Sequence, residues 1–318
     1  NGVNATGLDA SERILTLDNG ETVGFDKLIL AVGSEPLFPK TVRPHDSDSF
    51  FVVRSARDVQ RLTKAAKSAK RVLIDGMGVL AVEVAAELRR MGLQVTIAGA
   101  APQLMPRQLS IRAAEILENL MTSNDVRLRF QEEILSFERR KKGGFSVAMI
   151  RDSATFDMVV FCIGVAPRLE LAKQAGLDTA DGILVNEYLE TSASGVFAAG
   201  DAAEHANGRI TELWHAAEYQ GKIAALNALG EPTVFDDPPF RLKCEVWDSY
   251  FFSVNKPLNA RDFDIVEREK NDRYQCFYCS GDVVTGAVMV NDRDRAKLYE
   301  QVVREGWDRG RVETELPL

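Results

Sequence analysis

Between Arg71 and Ala98 the sequence runs through an order of segments that few folds can satisfy. Arg71-Val72-Leu73-Ile74 reads as an apolar strand and Asp75-Gly76-Met77-Gly78-Val79-Leu80-Ala81 as a glycine turn. Val82 to Met91 is a helix that stops at Gly92, and Gln94-Val95-Thr96-Ile97-Ala98 is the next strand. Strand, Gly-x-Gly-x-x-Ala, helix, strand is a complete βαβ unit, which commits the chain to a parallel sheet. A dinucleotide's diphosphate rests on backbone amides at such a helix start: the first glycine makes the turn, the second admits the phosphates, and the third position must be small. Gly76, Gly78 and Ala81 are therefore candidate cofactor-binding residues, against the plainer alternative of a structural turn.

Two neighbours weaken that site. The second strand of such a unit ordinarily ends in an acid that holds the adenosine ribose, about 20 residues past the glycines. Here it ends Ala98-Gly99-Ala100, with neither an acid nor an arginine for a 2′-phosphate, so NADH and NADPH both stay open. Asp75 also places a carboxylate beside the diphosphate position, where a negative charge repels the ligand. Weak nucleotide binding is the expectation.

The rest of the chain supplies the surroundings. Lys27 to Val32 is an apolar run, closing on Gly33-Ser34-Glu35-Pro36, that suits a strand buried on both faces. Asp18-Asn19-Gly20 between Ile14–Leu17 and Val23–Phe25 signals a hairpin. A chain that opens at Asn1 inside such a hairpin is expected to continue upstream. Pro39 to Asp48 reads as a connector, Ser55 to Ala69 as a helix capped by Ser55, and Ile111 to Met121 as another helix. Arg139-Arg140-Lys141-Lys142 and two glycines form a solvated hairpin tip between a strand pair. Met158 to Ile163 and Gly195 to Asp201 are further strands, Leu213 to Leu229 is a helix, and from about Asp236 three strands and the helix Asp292 to Glu305 form a small α+β module.

At 318 residues the chain is too long for a single core. Its net charge of -8 disfavours nucleic acid as a partner, and no apolar run approaches the roughly 18 residues of a membrane span. Four cysteines in a chain this long are not a disulfide framework, which makes a reducing, cytoplasmic setting the default. Cys276 and Cys279 form a C-x-x-C, but within a strand odd spacing puts the thiols on opposite faces, and no second pair completes a metal site. Cys162 and Cys244 read as small core residues. His45, His205 and His215 show no ligand spacing, and no metal is expected.

Taken together, the motifs resemble those of the flavoprotein pyridine nucleotide–disulfide oxidoreductases. Leu28 to Pro36 is similar to the family's A-T-G-x-x-P strand, and Gly76 to Glu83 to its G-G-G-Y-I-G-x-E motif. Phe161 to Arg168 resembles G-x-x-P-N with Arg168 in place of Asn. Gly195 to Asp201 matches G-V-F-A-x-G-D, and Trp214, Ala217, Gln220 and Gly221 match W-x-x-A-x-x-Q-G. The module from Leu242 to Trp307 looks like the C-terminal domain of rubredoxin reductases, nitrite reductase large subunits and NADH oxidases.

The resemblance implies an α/β fold of two doubly wound nucleotide-binding domains, the first incomplete, with a small α+β C-terminal domain. The FAD domain would comprise 1–44 and 166–235, the NAD(P)H domain 45–165, and the dimerisation or partner domain 236–318. Ala31, Val32, Gly33, Gly200 and Asp201 would contact FAD, with Val32 lacking the usual threonine hydroxyl and Asp201 equally suited to capping a helix. Glu83 would be the catalytic carboxylate facing the nicotinamide side of the flavin, or else an ordinary helix-surface acid. Gly99 would lie at the ribose, Gly164 near the nicotinamide, and Trp214 over the isoalloxazine ring. The implied activity is hydride transfer from NADH or NADPH to FAD, with electrons passed to a small redox protein or another acceptor, in a homodimer. Without the family's first glycine motif, FAD is expected to bind weakly. A binding or assembly protein that keeps the fold with a degenerate nucleotide site is the alternative, and a nitrite reductase large subunit would need iron–sulfur cysteines beyond Leu318.

Overall fold

The structure, a computed structural model, describes residues 2–39, 50–141 and 143–318. His45, Lys142, the 44/45 boundary and all but Pro39 of the expected connector lie outside the described residues. The chain divides into two compact units, Asn1–Glu35 with Val165–Phe240, and Pro36–Gly164 with Arg241–Leu318.

The first unit begins with an antiparallel meander of Ala5–Asp9, Ile14–Leu17 and Thr22–Gly24. The hairpin closes at Gly20, whose φ of 85° is one that side chains disfavour. Leu28–Leu30 pairs in parallel with Val196–Ala198, and Ile183–Leu184 with Ala203–Glu204. Leu30, Ile183, Val196, Phe197, Ile223 and Ala224 are buried together, the last two supplied by the helix Trp214–Ala228. The unit extends to Phe240 rather than ending at 235 because Phe235 packs into this core, while Tyr219 donates to Asp236 and Arg209 pairs with Asp237.

The second unit is built on a five-stranded parallel sheet in the order Phe50–Phe51, Met158–Phe161, Arg71–Asp75, Gln94–Gly99, Arg127–Phe130. Alternation along Arg71–Asp75 divides its two faces. Val72 and Ile74 join a core with the helices Ala56–Ala66, Val79–Arg90 and Ile111–Ser123. Leu73 joins Phe50, Phe145, Val147 and Phe156 on the other side, where the antiparallel strands Ile134–Arg139, Phe145–Met149 and Ser153–Phe156 cover the sheet. Ser55 caps the first helix in a reciprocal capping box with Asp58.

The C-terminal module is a five-stranded antiparallel sheet, ordered Arg241–Val246, Ser249–Val254, Val283–Val290, Arg273–Ser280, Asp264–Lys270. One face, with Cys244, Phe251, Tyr274 and Val288, shares the core of the parallel-sheet helices, which is why the module belongs to the same compact unit. The opposite face packs Phe252, Phe277 and Met289 on the helices Ala296–Glu305 and Arg309–Glu315. Among the described residues no helix is long and apolar enough to cross a membrane.

Candidate dinucleotide sites

Arg71–Asp75 stands at the sheet's switch point. The chain leaves it through the helix Val79–Arg90 to Gln94–Gly99 on one side, and returns later as Met158–Phe161 on the other. Ligands of open α/β sheets sit in the crevice such a divergence opens at the strands' carboxyl ends. The backbone requires glycine at one of the two positions there and not at the other. Gly76 has φ 135°, and a Cβ on it would lie 2.2 Å from the Cys162 carbonyl oxygen, so the neighbouring strand end demands glycine. Gly78 caps the helix at φ -85° and ψ -178°, and a Cβ on it would meet nothing within 4 Å. The fold itself leaves Gly78 unexplained, and the open space above it is what a phosphate group needs. No side chain caps this helix and no acid occupies its first turn, so its positive end faces that space. The helix begins at Val79, three residues earlier than the sequence reading placed it, which puts the fully buried Ala81 in the first turn.

Asp75 is half-buried, and desolvation lifts its carboxyl to about 7. The repulsion expected of it is therefore only partial at neutral pH. Burial, then Asp75, push the Cys162 thiol up to about 12; Cys162 is half-buried just past the end of its strand. Gly99 is buried, and a Cβ on it would lie 2.8 Å from Met77 Cγ. The Glu83 side chain is exposed, yet the protein around it and then the Glu245 carboxylate raise its carboxyl above the ordinary glutamate range. Gly164 takes φ 113°, and its carbonyl accepts from the Leu37 N–H at 3.0 Å.

The first unit gathers the other candidates. The strand Leu28–Leu30 runs out into exposed Ala31, half-buried Val32, and Gly33 at φ 68°. Arg168 holds this stretch: its N–H donates to the Gly33 carbonyl at 3.0 Å and its guanidinium to the Val32 carbonyl at 3.0 Å. Buried Ser34 donates to the Asp201 carboxylate at 2.8 Å and so joins the two motifs. Asp201 sits in the short 3-10 turn Gly200–Ala202, whose N-cap is Ala199, so the helix-capping alternative for it does not apply. Gly200 has φ 78°, and a Cβ there would lie 3.2 Å from that of Ala217. Its N–H donates to Gln220 Oε1 at 2.7 Å.

Gln220 is 0% exposed, and its amide group donates to Thr211 Oγ1 at 3.1 Å and lies 3.1 Å from His205 Nε2. His205 stacks on Phe235 at 4.5 Å between ring centroids. Its pKa is lowered by burial first; Asp237 raises it and Arg209 lowers it. In the neutral form that this favours, Nε2 is able to accept from the Gln220 amide. Trp214, the first residue of its helix, is 80% exposed. Sequence reasoning missed Ser34 and His205; a polar residue closing a buried strand was the available signal for the first, and the second carried none.

The thiols of the C-x-x-C face apart as the strand spacing requires, Cys276 joining one core and Cys279 the other, although a bulge interrupts the ladder between Tyr278 and Cys279. Burial pushes Cys276 up to about 11 and Cys244 up to about 12. Among the described residues no three His, Cys, Asp or Glu side chains are grouped to hold a metal ion.

Residues 1–221 match the protein family described as pyridine nucleotide-disulphide oxidoreductase. The nitrite reductase (NADH) large subunit of Escherichia coli (strain K12) is 28% identical over 301 residues, 92% of this chain and 35% of that protein. The benzene 1,2-dioxygenase system ferredoxin–NAD(+) reductase subunit of Pseudomonas putida is 32% identical over 239 residues, 72% of this chain and 57% of that protein. The chain thus spans between about a third and three fifths of these relatives. The solved structure of a NAD-dependent persulfide reductase from A. fulgidus superposes with a TM-score of 0.91 at 20% identity, covering 99% of this chain and 64% of that one.

Proposed function

Because the chain belongs to the pyridine nucleotide-disulphide oxidoreductase family, we propose that it acts as an NAD(P)H-dependent flavoprotein oxidoreductase. The nicotinamide nucleotide is assigned to the parallel-sheet unit, with its diphosphate on the amides from Gly76 through Gly78 to Ala81 and its adenosine ribose at the Gly99 strand end. Gly164 and Glu83 are assigned to the nicotinamide side. Ala31, Val32, Gly33, Gly200 and Asp201 of the other unit are assigned to FAD, with Trp214 against the isoalloxazine. The C-terminal module is assigned to docking of the acceptor or of a second copy.

The observation that carries this reading is Gly78: a glycine with open space above it, at an uncapped helix start in the switch-point crevice. The FAD half rests on Ser34, Arg168 and Gln220. Arg168 holds the Val32 and Gly33 carbonyls, Gln220 the Gly200 N–H and Ser34 the Asp201 carboxylate, which supports assigning Ala31 and the Asp201 loop to a nucleotide. Bound FAD accepts a hydride and releases electrons singly or in pairs, which lets a two-electron donor serve a one-electron carrier. The protein's contribution is to hold the two nucleotides, orient them and exclude water. A small redox protein as acceptor fits the ferredoxin–NAD(+) reductase name of the Pseudomonas putida relative.

The test is an anaerobic titration of the FAD-reconstituted protein with NADH and with NADPH. Loss of the visible flavin band at one equivalent is expected. Bound flavin that keeps its colour under excess of both nucleotides would refute the oxidoreductase reading.

A further inference from the structure

The end of Gln94–Gly99 is where a nucleotide-binding βαβ unit ordinarily presents a side chain to the adenosine ribose. In this protein that place is filled from the glycine turn instead. Met77 lies against Gly99 so closely that a Cβ on Gly99 would meet its Cγ at 2.8 Å and its Cε at 3.4 Å. Met77 is only 6% exposed, and its carbonyl accepts from the Met105 N–H at 2.7 Å. The loop carrying Met105 is itself held: Leu104 N–H donates to Glu118, Lys256 Nζ to the Pro106 carbonyl at 3.0 Å, and Ser110 shares a 2.7 Å hydrogen bond with Tyr274. No side chain fits at position 99 unless Met77 shifts.

The charged groups at the adjoining strand end are engaged with one another. Buried Glu132 takes the Arg129 guanidinium at 3.1 Å and the Arg151 N–H at 2.9 Å, and Arg129 also pairs with Asp152 at 2.9 Å. Glu132 and Arg129 are thus committed to one another and to Arg151 and Asp152, and neither is free to serve as a carboxylate for ribose hydroxyls or a guanidinium for a 2′-phosphate.

We propose that Met77 replaces the strand-end ribose ligand, so that the site holds the adenosine half by apolar contact and does not discriminate NADH from NADPH. This rests on the reading of the turn as a nicotinamide nucleotide site. Met77 and Gly99 form one specificity-determining pair: the thioether occupies the volume that a ribose-binding carboxylate would need.

Calorimetric titration of the intact chain with NADH and NADPH tests it. The two dissociation constants are expected to agree within about threefold, less than one hydrogen bond's worth of preference. In Met77→Gly/Gly99→Glu the freed carboxylate reaches the ribose hydroxyls and repels a 2′-phosphate, shifting the ratio toward NADH by about tenfold or more. Gly99→Glu alone shows less of that shift. Thermal unfolding supplies a check without ligand: Gly99→Ala lowers the midpoint of the unmodified protein by more than it lowers that of Met77→Gly.

Strong preference of the unmodified protein for either nucleotide would overturn the inference, as would a single Gly99→Glu variant matching the double. An NADPH preference would show that a cation of that edge, such as Arg151, reaches the 2′ position. Failure of both nucleotides to bind would instead overturn the nucleotide-site reading itself, and this inference with it.

Discussion

An alanine at position 76 would set its Cβ 2.2 Å from the Cys162 carbonyl oxygen, at a φ of 135° that side chains rarely adopt. Backbone atoms cannot yield as side chains do, so Gly76→Ala is expected to cost about 3 kcal/mol or more of folding stability. At Gly78 the same substitution meets no atom and no strained φ. Gly78→Ala should keep the urea midpoint and weaken nicotinamide nucleotide binding by about tenfold, the loss of a phosphate's close approach. An equal loss of stability in both variants would make the turn structural throughout.

Asp75 adds a pH dependence whose sign is fixed by its environment. Burial raises its carboxyl from 3.8 to about 7, so the folded state binds this proton more tightly than the unfolded state does. Stability contributed here is full below about pH 4, falls as pH rises toward 7, and is flat above that. At about 1.4 kcal/mol per pH unit the decline is at most about 4 kcal/mol. Asp75→Asn should match the unmodified protein at pH 4 and exceed it at pH 8 in urea unfolding, while tightening nucleotide binding at the higher pH. Parallel stability profiles would rule out this origin.

At the scale of elements, the Trp214–Ala228 helix packs Ala217 against the Gly200–Ala202 turn and hydrogen-bonds to it through Gln220. Gln220→Leu removes the acceptor of the Gly200 N–H and the donor facing His205 and Thr211, leaving buried polar groups unpaired at a cost of about 2–4 kcal/mol. Lowered urea stability with reduced FAD retention is the expected result, and a loss of neither would show that the turn holds its shape unaided. His205 is depressed below 6.5 by its burial, so the stability this element supplies is whole above pH 6.5 and declines as pH falls below it.

The same scale shows what the sequence made legible. Arg71–Asp75, its helix and Gln94–Gly99 could be read because apolar periodicity and glycine placement act locally. Ser249–Val254 was missed because its hairpin turns at Trp247, with φ 49°, a residue that gives no turn signal. Asp264–Lys270 escaped because an edge strand studded with charges resembles a solvated loop. Gly310 masked the helix that Asp308 caps. Within the sites, glycine positions were readable, but the pairs Met77–Gly99, Ser34–Asp201 and Gln220–His205 are made by folding across 15 or more residues, and no spacing rule announces them.

For the whole molecule, the organisation of the cores makes a distinct prediction. Each buried cluster lies inside a single unit: one serves the Asn1–Glu35 and Val165–Phe240 unit, and three serve the other, where the C-terminal sheet shares its core with the helices of the dinucleotide turn. Units with separate cores unfold as separate cooperative steps unless something couples them. A ligand bound only to the native form of one unit stabilises that unit by RT ln(1 + [L]/Kd), about 2.7 kcal/mol at a hundredfold excess over Kd. NADH should therefore raise the calorimetric midpoint of the unit containing Gly78, and FAD that of the unit containing Asp201, each leaving the other transition in place. Tyr274→Phe, which removes the hydroxyl shared with Ser110, should lower only the NADH-responsive transition, because Tyr274 and Gly78 belong to the same compact unit. A single transition moved equally by either nucleotide would mean that the two cores melt as one, and that the division of labour assigned to them is not a division of stability.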